Sequence, residues 1–402
     1  MAIVSQMRVI PETQNNRDRQ IRMNDGWPAV CMRPAQILMT ANHTARLEIS
    51  AECISSSAAQ TALIRATQVI RSGGTVAFPT ETVYGLGANA LDPAAVEKIF
   101  LAKQRPAWDP MIVHIADREM LRKVAVRVPG NAQQKIDALM DQFWPGPLTI
   151  LLPKLAAVPS IVTAGRELVG VRMPAHPVAL ALIAAADLPI AAPSANRFGH
   201  TSPTTAQHVL EDLDGRIDLV LDGGPAWCGV ESTVIEVRDQ ETILYRPGAI
   251  PAEEMEAIAG PVLRYQSSTT GSGPSEPPES LPSPGVDMRH YAPRARVILL
   301  DMSELTRNEP PERWLDALRQ RSKTEQKVGV MLPAEWPLPE EFAGIHFAWG
   351  SWEDDQELAQ RLFAGLRTLD AMGAAIILCP LPRDSGLGAA IRDRLLKAAR
   401  AE

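Results

Sequence analysis

Cysteine is scarce in this chain of 402 residues, which has only 4. Cys31, Cys53, Cys228 and Cys379 stand far apart, so no C-x-x-C pair is present. A zinc site of the common kind needs such pairs, and a disulfide scaffold needs a higher density of cysteine. We therefore expect neither a zinc site nor a disulfide scaffold, and a reducing cytoplasm as the protein's location.

An excess of positive charge is also missing, because 40 Lys and Arg residues stand against 47 Asp and Glu residues, for a net charge of -7. Aromatic residues make up only 5% of the chain. Proteins that coat nucleic-acid backbones carry basic surfaces, often with interleaved aromatic side chains. Any anion site must therefore be a local cluster of cations.

No hydrophobic run is long enough to span a membrane. The longest one, residues 178–192, is interrupted by Asp187 and Pro189 and is shorter than the roughly 20 apolar residues that a membrane helix needs. Residues 14–18 are polar or charged, where the apolar part of a secretory signal would lie. We expect neither membrane anchoring nor export.

The common nucleotide and hydrolase motifs are missing as well. The chain has no G-x-x-x-x-G-K-[ST] loop, no complete G-x-G-x-x-G and no kinase motif set. Ser232 and Thr233 have no convincing His and Asp partners in the sequence, so nucleophilic hydrolysis has no support.

Composition divides the chain into four parts. Residues 1–58 show little periodicity, which predicts an irregular extension. Residues 59–264 alternate between helical and strand patterns and predict the main domain. Residues 265–292 are rich in Ser, Pro, Gly and Glu, as in a flexible linker. Residues 293–402 alternate again and predict a smaller α/β domain, Rossmann-like by analogy.

The main domain has more predicted strands than a regular βαβ ladder needs. Residues 230–245 are typical of a hairpin, because Thr233, Ile235 and Val237 alternate with polar residues before the chain returns. We therefore predict an α/β fold with a mixed, twisted sheet and helices over it, rather than a doubly wound parallel sheet.

Residues 73–114 are the centre of the predicted site. They hold a strand, a loop rich in hydroxyl groups, a helix capped by Asp92 that runs out at Lys103 and Arg105, and a strand that ends near His114. Cations at a helix end commonly complement its dipole, and such a histidine is more often a core residue. These features alone do not establish a function.

More polar residues follow the other predicted strands. Arg172 lies in an apolar strand, Arg246 ends the hairpin, and Ser194 and Asn196 follow a buried strand. Polar clusters at strand ends are where α/β folds bind ligands, and this set fits a pocket for phosphates and a carboxylate. Considered alone, these residues predict an anion-binding α/β domain and no more.

Taken in order, the short motifs of the chain resemble the threonylcarbamoyl-AMP synthase family, whose catalytic domain is called YrdC-like. They are TVAFPTETVYGLG, K-x-R-P with PMIVHI, GVRMPAHP, APSAN followed by SPTT, EST, YRPG and, after the linker, RHYAP. The resemblance covers about residues 60–402. It implies a YrdC-like catalytic domain in residues 59–264, an active-site lid at the end of the linker, and the C-terminal domain of the longer members.

The resemblance implies a nucleotidyltransferase that makes threonylcarbamoyl-AMP and pyrophosphate from L-threonine, bicarbonate or CO2, and ATP. The implied cofactor is Mg2+, held mostly by ATP. The implied partner is a downstream tRNA threonylcarbamoyl-transferase, and direct tRNA binding by this chain is not expected. Such a reaction depends on positioning and electrostatic stabilisation more than on a general base.

The resemblance also implies a role for each motif residue. Tyr291 is implied to fold over the nucleotide as the lid, and Tyr84 to close the pocket. The catalytic residues are Lys103 and Arg105; the ATP-binding residues are Lys103, Arg105, Asp109, Ser194, Asn196, Ser202, Arg246 and Tyr291; the threonine-binding residues are Thr82, His114, Arg172, Ala192 and Ser232; no residue is assigned to a metal.

Two positions depart from the family pattern, and two other functions are open. Asp109 replaces the usual Asn and Phe198 the usual Ser, and we expect activity to survive both. Related domains have been regarded as RNA-binding modules, which the net charge of -7 argues against. Similar domains in hydrogenase maturation proteins use carbamoyl-adenylate chemistry on another acceptor, but those proteins carry zinc-finger and acylphosphatase-like segments that the cysteine pattern does not supply.

Overall fold

The computed structural model describes residues 43–266, 283, 290–301, 312–324 and 327–400. Asn42–Glu402 group into one unit, which holds two β-sheets. Most of the predicted linker, residues 265–292, and of the predicted N-terminal extension lies outside the described residues. The division of the chain into these four parts therefore stays a prediction.

The larger sheet has 11 strands. They are β1 (Ala45–Glu48), β2 (Val76–Phe78), β3 (Gly85–Asn89), β4 (Ile112–His114), β5 (Leu148–Pro153), β6 (Leu168–Arg172), β7 (Ile190–Ala191), β8 (Leu219–Asp222), β9 (Thr233–Val237), β10 (Thr242–Arg246) and β11 (Val262–Arg264). Their spatial order is β1-β8-β2-β3-β7-β4-β6-β5-β9-β10-β11. Strand β6 is parallel to β4 and antiparallel to β5, and β9 and β10 form the expected antiparallel hairpin. The predicted mixed sheet is confirmed.

The helices of this part of the chain enclose the main apolar core against the sheet. They are α1 (Ser57–Arg71), α2 (Pro93–Lys103), α3 (Arg118–Leu121), α4 (Asn131–Phe143), α5 (Ser160–Thr163), α6 (Pro177–Ala186), α7 (Ala206–Leu213) and α8 (Ala252–Ala259).

Helix α2 shows how local sequence positions the predicted site. The Asp92 side chain accepts hydrogen bonds from the amides of Ala94 and Ala95, and Pro93 occupies the first turn, where no amide hydrogen is needed. The helix ends at Lys103, because Gln104 adopts a left-handed conformation with φ of 55°. This turn carries the chain on to Arg105, which places both cations at the end of the helix.

Three local expectations differ from the structure. Part of the predicted irregular extension forms strand β1, which pairs in parallel with β8; its alternation is only four residues long and too short for a reliable signal. Between the predicted hydroxyl loop and the helix capped by Asp92, where no strand is expected from the sequence, strand β3 is found. The Ser202-Pro203 pair in the sequence predicts a helix that opens there, but helix α7 begins after Thr205, whose side chain caps it.

The second sheet has 4 strands, all paired in parallel, in the order β12-β15-β13-β14. The strands are β12 (Arg296–Asp301), β13 (Val328–Pro333), β14 (Ile345–Gly350) and β15 (Ile376–Leu381), and the helices are α9 (Glu312–Thr324), α10 (Asp355–Ala371) and α11 (Gly386–Ala398). A parallel sheet with helices agrees with the smaller Rossmann-like α/β domain expected from the sequence.

An apolar cluster joins the part of the chain that forms the larger sheet to the part that forms the second sheet. Val83 and Val230 pack in one core with Tyr291, Trp349 and Phe363. The backbones of the two parts come close together at Gly229, where an added Cβ would lie 2.3 Å from the carbonyl oxygen of Ala359 on α10. Only glycine fits there. Among the described residues, no helix is long and apolar enough to cross a bilayer.

Candidate active site

One cavity of about 50 Å³ lies among the ends of strands β2, β4, β6, β7 and β10. Most of the predicted site residues share it. Its walls include Thr82, Arg105, Asp109, His114, Arg172, Ala192, Ser194, Ser232, Arg246 and Tyr291. The predicted residues Lys103, Asn196 and Ser202 are buried next to these walls and hydrogen-bond to wall or neighbouring residues.

Arg172 is the centre of one end of the cavity. Its Nη1 donates to Thr82 Oγ1 at 3.0 Å, and its Nε donates to the Gly146 carbonyl at 3.2 Å. Its Nη2 lies 2.6 Å from Glu81 Oε1 in an ion pair from which water is almost excluded. The β4–β6 register places Arg172 directly beside His114. This end therefore presents a buried, rigidly held guanidinium, which suits a carboxylate.

His114 is a neutral group at this end. Burial, together with the nearby charge of Arg172, lowers the pKa of His114 to about 3. Its Nδ1 is buried without a hydrogen-bond partner, and the ring lies edge-on to Phe78. A neutral imidazole with an unpaired nitrogen can exchange a hydrogen bond with a polar ligand.

Arg105 and Asp109 form the second charged wall. Arg105 Nη2 lies 2.9 Å from Asp109 Oδ2, with both side chains almost fully buried. The same guanidinium donates to the carbonyls of Asp109 and Pro110 at 3.1 and 2.6 Å. Burial raises the pKa of the Asp109 carboxyl, against the pull of Arg105 and Lys103. Asp109 Oδ1 has no hydrogen-bond partner.

Lys103 acts on the backbone of the loop that follows β7. Its Nζ donates to the carbonyls of Ser194 and Asn196 at 2.6 and 2.5 Å. Burial, with a contribution from Arg105, lowers the pKa of Lys103 well below its ordinary value. The lysine therefore fixes the shape of this loop next to the cavity.

Arg246 and Ser232 close the far wall. Arg246 donates from Nε to the Ser232 carbonyl at 3.1 Å and from Nη2 to Ser232 Oγ at 3.0 Å. Ser232 Oγ also lies 2.8 Å from Thr149 Oγ1. Gly248, in the same turn, has the Thr233 amide nitrogen 2.3 Å from the position of a Cβ, so a side chain there would displace the wall.

The two tyrosines expected at the cavity differ in where their side chains lie. Tyr291 lines the cavity, as expected, and its ring stacks on Phe363 with 5.7 Å between centroids. Tyr84 does not close the pocket: it is fully buried, and its hydroxyl donates to the Gly224 carbonyl at 2.6 Å. The expectation for Tyr84 is wrong because the β2–β3 turn directs its side chain into the core.

Three charged residues near the cavity were not predicted as site residues. Glu81 pairs with Arg172, and Glu231 lies in the cavity wall next to Ser232. Both stand inside recognised motifs, which was an available signal. Arg394 of α11 reaches Glu231 from the second sheet's part of the chain, and no local pattern marks it.

Carboxylates alone do not form a metal cluster here. Within the described ranges, no group of three or more His, Cys, Asp and Glu side chains is arranged to hold a metal ion. The cavity instead brings together Arg172 and Arg246 from two strands and Arg105 from the turn after α2, and Arg105 and Arg172 are each paired with a buried carboxylate. Guanidinium groups in such a wall suit anions, which can form charge-assisted hydrogen bonds with them.

The comparisons with known proteins agree on one family. Residues 68–248 match the family model described as Telomere recombination, and residues 250–400 match the model described as Threonylcarbamoyl-AMP synthase, C-terminal domain. The threonylcarbamoyl-AMP synthase of Pyrococcus abyssi is 43% identical over 82% of this chain and 91% of that protein. The Bacillus subtilis protein of the same name is 43% identical over 84% of this chain and 92% of its own length.

A solved structure extends the likeness to the fold. The crystal structure of P. abyssi Sua5 complexed with L-threonine superposes with a TM-score of 0.78 at 39% identity, over 89% of this chain and 98% of that one. Sequence identity of this extent over nearly whole chains, with both family models matched in order, is decisive. This chain belongs to the threonylcarbamoyl-AMP synthase family.

Proposed function

We propose that this protein is an L-threonylcarbamoyladenylate synthase, which converts L-threonine, bicarbonate or CO2, and ATP into threonylcarbamoyl-AMP and pyrophosphate. The observation that carries the proposal is the shared cavity, which has a carboxylate-binding arginine at one end and a wall of arginines at the other. The reaction joins a carboxylate-bearing amino acid to a polyphosphate, so it needs both ends.

The Arg172 end binds L-threonine in this proposal. The guanidinium receives the carboxylate, with Thr82 beside it. Ser232, in the facing wall of the same cavity, can pair with another polar group of threonine. His114, held neutral by burial and by Arg172, offers Nδ1 to the hydroxyl or the amine. P. abyssi Sua5 has been crystallised with L-threonine, which supports this assignment.

The other end binds ATP. Arg105 and Arg246 face the phosphates, Lys103 holds the Ser194 and Asn196 loop against the nucleotide, Ser202 supports the wall through Glu231, and Tyr291 covers the site. In the reaction, a carbamate oxygen of N-carboxythreonine forms a bond to the α-phosphorus of ATP, and the bond from that phosphorus to the β-phosphate oxygen breaks. Pyrophosphate leaves with the bonding electrons, and the arginines stabilise its charge.

Magnesium enters with the nucleotide. Its preferred ligands are hard oxygen atoms, and most of them come from the phosphates and water. Asp109 Oδ1, a buried carboxylate oxygen of the cavity wall without a hydrogen-bond partner, fits a contact to such an ion. The ion would neutralise phosphate charge. Cytoplasmic location and delivery of the product to a tRNA threonylcarbamoyl-transferase belong to the same proposal.

Pyrophosphate release from ATP tests the proposal. We expect release only when L-threonine and bicarbonate are both present, and threonylcarbamoyl-AMP as the product by mass spectrometry. Omission of either substrate is the control. Release that does not depend on threonine would contradict the proposal. Titration of RNA binding against salt separates the RNA-binding alternative, which requires a steep loss of affinity as salt rises.

A further inference from the structure

Arg394 is buried where the part of the chain with the second sheet contacts the part with the larger sheet. It belongs to helix α11, yet apart from its pair with Asp393 its hydrogen bonds and its ring contact are to residues of the part of the chain that holds the cavity. Its side chain is 0% exposed, its Nε lies 2.6 Å from Glu231 Oε2, and its Nη1 donates to the Pro247 carbonyl at 3.0 Å. Both partners flank the cavity wall formed by Ser232 and Arg246.

A buried charge needs partners that offset the cost of its desolvation. Removing a guanidinium from water costs several kcal/mol unless its partners replace the lost hydration, and a buried ion pair rarely adds net stability. Here Glu231 and Asp393 supply two carboxylates, and the Tyr291 ring lies 5.1 Å from the guanidinium carbon. Each contact outside α11 is to a residue of the cavity wall or its adjoining turn.

Glu231 connects this arginine to the nucleotide wall. Its Oε1 accepts a hydrogen bond of 2.5 Å from Ser202 Oγ, and Ser202 is fully buried. Burial opposes ionisation, but Arg394, Arg246 and Ser202 together hold the pKa of Glu231 below its ordinary value. Glu231 is therefore an anion that accepts from Ser202, and Arg394 is its direct counter-ion.

Tyr291 is the second connection. Its ring stacks on Phe363 of α10, and the Arg394 guanidinium lies over the same ring. A cation over an aromatic face is attracted to it, more strongly where water is excluded. The next residue, Ala292, donates its amide to the Gly199 carbonyl at 2.9 Å, which ties this segment to the loop after Asn196.

We propose that Arg394 is a positioning residue for the nucleotide end of the site: it holds Glu231 against Ser202 and holds Tyr291 over the cavity, so that the last helix of the chain completes the active site. This role rests on the proposed function for its kinetic consequence. It assigns to the C-terminal domain a defined contribution through one side chain.

Arg394→Met tests the role by removing the charge while keeping much of the buried volume. The apparent KM for ATP should rise about 10- to 100-fold, the loss expected for a hydrogen bond to a charged partner. The KM for L-threonine should change little, because the Arg172 end keeps its contacts. Arg394→Lys should recover part of the loss, since it retains the charge but not the two-nitrogen geometry.

Arg392→Met is the matched control. Arg392 lies two residues earlier on α11 and pairs with Asp301 and the Pro382 carbonyl, both in the same domain. It should leave both KM values unchanged. If Arg394→Met and Arg392→Met have equal KM values for ATP, the proposal is overturned.

A second readout does not depend on turnover. Hydrogen exchange of the peptide containing Ala292 should be faster in Arg394→Met than in the native protein and in Arg392→Met, and equal exchange would overturn the role. The native protein in the pyrophosphate assay tests the proposed function separately. If Arg394→Met does not fold, Glu231→Gln and Arg394→Lys carry both measurements, with the same expected direction.

Discussion

Arg172 and Glu81 form an ion pair with 2.6 Å between Nη2 and Oε1, in which the two side chains are only 4% and 1% exposed. Neither oxygen of Glu81 forms a further hydrogen bond among the described residues. The arginine is thus held in place without a ligand, and under the proposed function the carboxylate of L-threonine would share or replace Glu81 as its partner. A pocket of this kind is specific for a ligand that brings its own negative charge.

Arg172→Lys tests the importance of the forked guanidinium. Lysine keeps the charge but cannot reach Glu81, Thr82 and Gly146 in one plane. We expect the KM for L-threonine in the pyrophosphate assay to rise about 10- to 100-fold, with the KM for ATP nearly unchanged. Arg118→Lys, at an exposed ion pair with Asp141, is the control. Equal increases in both KM values would contradict separate ends of the cavity.

Thr82→Ala and Lys103→Ala form a pair of opposite expectations. Thr82 Oγ1 accepts from Arg172, so its loss should mainly raise the threonine requirement. Lys103 fixes the carbonyls of Ser194 and Asn196, so its loss should mainly weaken the use of ATP. Substrate titrations on both variants measure this. The division of the cavity into two ends is wrong if both variants affect the same substrate.

Much of this arrangement was predictable because it depends on local chemistry. The Asp92 cap and the proline after it define helix α2, and the apolar residues of β4 and β6 define strands whose parallel register places His114 beside Arg172. The mixed sheet follows from the surplus of short strands. The family resemblance then brings the separate motifs into one cavity, where most of them are found.

The remainder depends on contacts between distant parts of the chain, which no local pattern records. Tyr84 is a hydroxyl in a polar loop by sequence, but the β2–β3 turn buries it against Gly224. Arg394 is one of several basic residues on an ordinary amphipathic helix, and only the docking of α11 reveals its partner Glu231. Strand β1 gains its stability from pairing with β8, which follows it by more than a hundred residues in the chain.

The free energy of unfolding should depend on pH through the buried His114. His114, which faces Arg172 from the neighbouring strand, has a pKa lowered to about 3 by burial and by that arginine, whereas an unfolded histidine titrates near about 6.5. The unfolded state therefore binds a proton that the folded state does not. Stability from this group is complete above about pH 6.5 and falls by about 1.4 kcal/mol per pH unit as the pH drops toward 3.

His114→Gln measures that contribution. The variant should be less sensitive to pH between 6 and 4 in thermal unfolding or urea denaturation, by close to one bound proton. His43→Gln, an exposed histidine paired with Asp214, is the control. An unchanged slope in His114→Gln would show that the folded protein takes up the proton at this site.

Phe198 has a structural reason for replacing the usual serine. Its ring lies edge-on to Trp108 at 5.8 Å and to His290 at 5.7 Å, and His290 in turn contacts Tyr291. Each such pair contributes about 0.5–1.5 kcal/mol. Phe198→Ser should therefore lower thermal stability and raise the KM for ATP a few-fold, while kcat persists. If Phe198→Leu, the apolar control, behaves like Phe198→Ser, aromatic contact is not the cause.

Asp109→Asn separates the effect of the carboxylate on stability from its effect on binding. Asparagine keeps an oxygen at this position and leaves the bonds from Arg105 to the carbonyls of Asp109 and Pro110 in place, but it removes the buried counter-ion. The free protein should lose about 3–5 kcal/mol of stability, the usual cost of an unpaired buried charge. ATP should then bind Arg105 without competition from the carboxylate, so its stabilising shift in Tm should be larger than in the native protein. The rate of pyrophosphate release should stay within a few-fold of the native rate.

Two outcomes would contradict this account of Asp109. A rise in the rate of pyrophosphate release by orders of magnitude would mean that the native carboxylate impedes the reaction. An unchanged Tm in the free protein would mean that Asp109 is not the counter-ion of Arg105.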